Sequence, residues 1–121
     1  MVYGIVGSRR RASALDRNQV FDLVREAPAD TTFVSGGCVS GADAFVKEAC
    51  SFYGHTLVEH LPVLPPKGSP YYLFVQAFFA RNKLIASDSD VLYALVSSDR
   101  KGGTENTVKH AIKLGRRVVL L

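Results

Sequence analysis

Short apolar runs alternate with longer stretches of helical period along the whole chain, and this alternation restricts the fold more than any other feature. The runs at 2–6 (VYGIV), 31–35 (TTFVS), 56–60 (TLVEH), 90–97 (DVLYALVS) and 116–121 (RRVVLL) are rich in β-branched and aromatic residues, which suit strands. Between them fall a helix over about 14–26 and a segment in which Ala42, Phe45, Val46, Ala49 and Tyr53 share one helical face. A long helix over 71–86 follows, then a last one that turns Val108, Ala111 and Ile112 inward and ends at Gly115. Strands separated by helices pair in parallel, because a parallel crossover needs a long connection. The apolar run at 91–96 fits burial on both sides, and right-handed crossovers leave few topologies. The fold expected is a Rossmann-like, doubly wound, parallel five-stranded sheet with helices on both faces.

Nothing divides the chain, so residues 1–121 are expected to form one domain. Only LPVLPPKGSP (61–70), with four prolines and a glycine, reads as an irregular loop. No apolar run approaches the roughly 20 residues a spanning helix needs. The charges near the N-terminus follow the first apolar stretch rather than precede it, unlike a secretory signal. A cytoplasmic location without a membrane partner is expected. Cys38 and Cys50 have no C-x-x-C spacing, and His55, His60 and His110 stand alone. They read as plain thiols and structural or solvent-facing imidazoles, so neither a metal nor a cofactor is expected.

Glycines cluster behind three of the strands: GSRR after the first, SGGCVSGAD after the second and DRKGGT after the fourth. In a parallel sheet those three turns share the carboxyl edge, where open α/β sheets bind ligands. Each leads towards a helix N-terminus, whose free N–H groups and partial positive charge suit phosphate. Gly36, Gly37, Gly41, Gly102 and Gly103 are therefore candidate backbone donors, with Ser8, Ser35, Ser40 and Thr104 as hydroxyl donors. Asp43, near the start of the second helix, could accept from a ribose hydroxyl or complement the helix dipole. The net charge of +4 favours an anionic partner. Arg9, Arg10 and Arg11 after the first strand and Arg100 and Lys101 after the fourth are placed to hold phosphate. Lys109, Lys113, Arg116 and Arg117 lie beyond the site and read as solvated surface.

In their order, these motifs resemble the SLOG superfamily, the nucleotide-binding fold of DprA/Smf DNA-processing proteins and LOG-type phosphoribohydrolases. IVGSRR is similar to the DprA motif VGSR, SGGCVSGAD to SGxAxGxD, and FFARNKLIA (78–86) to FPxRNRIIA. The close, GGTENTVKHAIKLGRRVVLL, matches a Gly-Thr turn, a helix and A-x-x-x-GR-x-V. The resemblance covers nearly the whole chain. It implicates Gly7, Ser8, Arg9, Ser35, Gly36, Gly37, Gly41, Asp43, Gly103 and Thr104, and adds Arg81 and Asn82, which it turns towards the ligand edge. The flanking domains of full DprA proteins have no counterpart in these residues.

The leading expectation is binding of a nucleotide or nucleotide-derived phosphorylated ligand at the carboxyl edge. An alternative is N-glycosidic cleavage of a nucleoside 5′-monophosphate, with Glu105 and Asp43 as weak catalytic candidates. The hydrolase motif P-G-G-x-G-T-x-x-E, aligned on Gly103-Thr104, puts Thr107 at the glutamate position. Glu105 lies two residues early, and at about 100° per residue that is nearly the opposite helix face. A third expectation is single-stranded nucleic-acid binding, although the sequence has no tryptophan and shows no surface row of stacking aromatics. The helix over 71–86 is apolar almost all round at its start, which predicts a homodimer through it.

Overall fold

The computed structural model describes residues 1–121. Strand β1 (Val2–Gly7) leads into helix α1 (Ala14–Glu26), β2 (Thr32–Ser35), α2 (Ala42–Tyr53), β3 (Thr56–Glu59), α3 (Tyr71–Asp88), β4 (Val91–Leu95), α4 (Gly103–Lys113) and β5 (Arg117–Leu120). All five strands are parallel, in the order β3-β2-β1-β4-β5. This is the doubly wound Rossmann-like sheet that the alternation predicts. The winding reverses between β1 and β4, and the three glycine-bearing turns leave the adjacent strands β2, β1 and β4.

Period-2 alternation divides the core between the two faces. Ile5 and Phe33 face α1 and α2, where they pack with Val20, Val24, Val46 and Leu95. Val6 and Val34 point the other way, into a second cluster with Ile85, Leu92, Val108 and Ala111 beneath α3 and α4. On α2, Ala42, Val46 and Ala49 are buried as their spacing requires, and Cys50 joins them. Burial pushes the Cys50 thiol pKa up to about 11, which keeps it protonated and inert. Tyr53 lies at the margin of that face and is partly exposed.

Two expectations about packing change. Ile112 is 63% exposed rather than turned inward. The buried face of α4 is made by Thr104, Thr107, Val108 and Ala111; at roughly 100° per residue Ile112 falls well to one side of their mean direction. Helix α3 runs two residues past the expected end, and all three of its buried residues, Asn82, Ile85 and Ala86, sit in its second half. Its first half leaves Tyr71, Tyr72, Phe78 and Phe79 exposed. No helix is long and apolar enough to cross a membrane.

Candidate functional site

The site is built where β1, β2 and β4 end side by side. The Ser8 amide donates to the Leu95 carbonyl at 2.9 Å, tying the turn after β1 to the end of β4. Gly7 ends β1 so close to α2 that a Cβ there would lie 2.6 Å from the Ala42 Cβ. Both flanking helices start on a glycine. The α2 N-cap is Gly41, the α4 N-cap is Gly102, and neither start has a side-chain cap. Gly102 holds φ at +106°, a backbone that side chains resist. The first N–H groups of a helix have no partner within it. Two helix starts, after the strands on either side of β1, thus present uncapped amides along one edge.

The β2–α2 turn is internally anchored. Asp43 Oδ2 accepts from the Cys38 amide at 3.0 Å. Burial pushes the Asp43 carboxyl above its ordinary range, while the Cys38 and Gly36 amides and the Arg81 charge pull it down. Asp43 therefore faces its own loop, and the Cys38 amide is already occupied. Glu59, at the end of β3, adds a second carboxylate beside this turn: its Oε2 is 3.3 Å from where a Gly37 Cβ would stand. The sequence reading passed over Glu59, although its place at a strand end on the same edge was visible. Ser35 is fully buried and its hydroxyl has no hydrogen-bond partner, so it lies beneath the turn rather than on the edge.

The arginines after β1 separate into three environments. Arg9 is exposed and makes no hydrogen bond or ion pair with another residue. Arg10 pairs with Asp99 at 2.7 Å. The Ser97 hydroxyl and Arg10 together hold the Asp99 carboxyl below its usual range. Arg11 turns inward and donates to Asp16, Gln19 and the carbonyls of Val96 and Leu121 at 2.7–2.9 Å. Among the charges after β4, Arg100 is bound by both oxygens of Glu105 at 2.9 and 2.8 Å. Arg10, Arg11 and Arg100 are thus engaged within the protein, and Arg9 and Lys101 are the cations of these turns whose side chains remain unpaired.

Glu105 is committed to Arg100. Thr107, at the hydrolase glutamate position, is 1% exposed and donates to the Gly103 carbonyl at 3.3 Å. Neither residue presents a free carboxylate to the edge. Arg81 and Asn82 do reach the edge from α3. Arg81 Nη1 donates to the Gly36 carbonyl at 2.8 Å, and Asn82 Nδ2 faces the Gly103 carbonyl at 3.4 Å and Asn106 Oδ1 at 3.2 Å. A surface concavity of about 830 Å³ lies beside this edge against the outer face of α2. Its side-chain charges are paired across it, Arg17 with Glu48 and Lys47 with Glu59. We therefore place the site on the glycine turns.

Several solved structures share this architecture. DNA processing protein A (DprA) from Streptococcus pneumoniae superposes with a TM-score of 0.78 at 20% identity, over 98% of this chain and 49% of that one. The likeness is one of fold, a parallel, doubly wound Rossmann-like sheet. The molybdenum cofactor binding protein from Rippkaea orientalis matches with a TM-score of 0.77 at 20% identity, over 98% of this chain and 74% of that one. The molybdenum cofactor carrier protein of Chlamydomonas reinhardtii gives 0.75 at 22% identity over the same shares. The chain thus spans about half of the DprA structure and three quarters of the two molybdenum cofactor proteins. No family model matches the sequence, and no curated protein is similar to it by sequence.

Proposed function

We propose that the SLOG-type domain formed by residues 1–121 binds a nucleotide or nucleotide-derived phosphorylated ligand across the ends of β1, β2 and β4, in the cytoplasm. The observation that carries this reading is the pair of uncapped, glycine-started helices, α2 and α4, which follow the strands on either side of β1. Amides at Gly41–Ala44 and Gly102–Glu105 supply donors for phosphate, with Ser8, Ser40 and Thr104 beside them. Arg9 supplies the cation. Neighbours named for binding or carrying a small-molecule cofactor support a ligand-binding use of the fold.

Catalysis is the weaker reading, because the two candidate carboxylates are engaged: Glu105 with Arg100 and Asp43 with its own loop. Isothermal titration with mono-, di- and cyclic nucleotides tests the binding reading. At least one is expected to bind, and Arg9→Ala to weaken it about tenfold, as loss of one charge-assisted contact implies. No binding by any member, with Arg9→Ala without consequence, would refute it.

A second reading is favoured by the exposed aromatics of α3. Tyr71, Tyr72, Phe78 and Phe79 are exposed on a helix that also carries Arg81 and Lys83, with the Arg81 guanidinium 5.8 Å from the Phe78 ring, which suits base stacking on a single strand, and a DNA-processing neighbour shares the fold. Oligonucleotide retention on filters that falls steeply with salt would support it; no retention at low salt would end it. The same half-helix, residues 71–80, carries no charge and is the surface through which we place a homodimer. Sedimentation at high micromolar concentration is expected to show a dimer, and monomer alone would contradict this.

A further inference from the structure

Arg81 and Asn82 form the middle of a continuous chain of hydrogen bonds between the two glycine turns. It begins at the Gly36 carbonyl after β2, which accepts from Arg81 Nη1 at 2.8 Å. Arg81 Nε then donates to Asn82 Oδ1 at 3.0 Å. This fixes the orientation of the Asn82 amide, since its oxygen must face Arg81 and its Nδ2 must face α4. That Nδ2 is shared between the Gly103 carbonyl and Asn106 Oδ1, and Thr107 Oγ1 donates to the same Gly103 carbonyl. Asn82 is 6% exposed, so its bonds are shielded from water and leaving them unmade is costly.

Gly36 fits this arrangement for a reason unconnected with a ligand. A Cβ there would stand 2.7 Å from Arg81 Nη1 and 3.0 Å from Asp43 Oδ2. The guanidinium and the carboxylate close over the glycine together, and any side chain at 36 would displace one of them.

We propose that Arg81 and Asn82 are positioning residues that lock the turn after β2 to the turn after β4, so that the two helix starts respond as one unit. Arg81 Nε and Nη1 and both polar atoms of the Asn82 amide are spent on protein partners, and their contribution is to set the separation and orientation of the two sets of free amides. The meaning of the lock for ligand binding rests on the function proposed above; the lock itself does not.

The test is therefore made on ligand-free, ¹⁵N-labelled protein. Arg81→Lys keeps the charge but cannot make both bonds of the fork, and Asn82→Leu keeps the γ-branched shape while removing all three bonds of the amide. With Asn82→Leu, the Gly36 and Gly37 amide resonances are expected to move, although the Asn82 side chain hydrogen-bonds to neither. Exchange of the Arg81 Nε–H is expected to quicken about fivefold, the loss of one ordinary hydrogen bond. With Arg81→Lys, the Gly103 and Thr104 amides are expected to move. The proposal is overturned if each substitution moves only the turn that its own side chain touches. Should Asn82→Leu fail to fold, the Arg81→Lys spectrum decides alone. Failure of every nucleotide to bind would refute the proposed function and leave these spectra as they are.

Discussion

The start of α1 and the starts of α2 and α4 meet the same physical problem with opposite solutions. Each follows a strand at the carboxyl edge, and each leaves N–H groups without partners inside the helix. At α1 the chain satisfies them itself. The Ser13 hydroxyl accepts from the Asp16 amide and Asp16 Oδ2 accepts from the Ser13 amide, both at 3.1 Å, a capping box. Arg11 then covers Asp16 from the side at 2.8 Å. At α2 and α4 a glycine replaces the capping side chain. The contrast shows that open amides are not a general property of this edge. Among the helices that follow β1, β2 and β4 they occur at α2 and α4, while α1, which leaves the central strand β1, is closed.

If α1 is closed for structural reasons, breaking its closure should cost stability. Arg11→Ala is expected to have the largest effect, about 3 kcal/mol, because it strands the part-buried Asp16 and removes bonds to Val96 and Leu121. Urea unfolding checks this, and a loss under about 0.5 kcal/mol would place Arg11 with ordinary surface residues.

Asp16→Asn should cost less, about 2 kcal/mol at neutral pH, and should change the acid limb. Burial raises the Asp16 carboxyl, but the bonds from Arg11 and Ser13 outweigh it and hold the pKa below the ordinary range. Its stabilisation is therefore full above the unfolded value of about 3.9 and is lost as pH falls through the folded one. Removing it should flatten the fall in stability below about pH 4. Asp43 has the opposite sign. Its raised carboxyl contributes fully below the unfolded value, and that contribution fades as pH rises through the folded one. Carboxyl ¹³C titration of both side chains reads the contrast directly; Asp16 titrating above Asp43 would reverse it.

The arginine triplet shows how far the sequence could be read. Strands, helices and glycine turns follow from local pattern, so the sheet and its glycine-bearing edge were legible. Arg9, Arg10 and Arg11 are locally alike, and three equivalent phosphate ligands were the natural expectation. What separates them is distant in sequence: Asp99 for Arg10, and Val96 and Leu121 for Arg11. Only Asp16, five residues on from Arg11, offered a nearby sign, as the second half of a Ser-x-x-Asp cap. The same reason hid the bonds of Arg81 and Asn82, whose partners Gly36, Gly103 and Asn106 lie 45, 21 and 24 residues away. The Arg100–Glu105 pair was closer to hand, since an arginine five residues before a glutamate across a tight turn can fold back onto it.

The most direct test of the account is a ¹H–¹⁵N titration of the labelled protein with the nucleotide panel. It predicts that a binding nucleotide moves the amides of Gly41–Ala44 and Gly102–Glu105 together, while those of Ser13–Arg17 stay in place. Shifts centred on the α1 start, or none at the two glycine-started helices at saturating nucleotide, would contradict it.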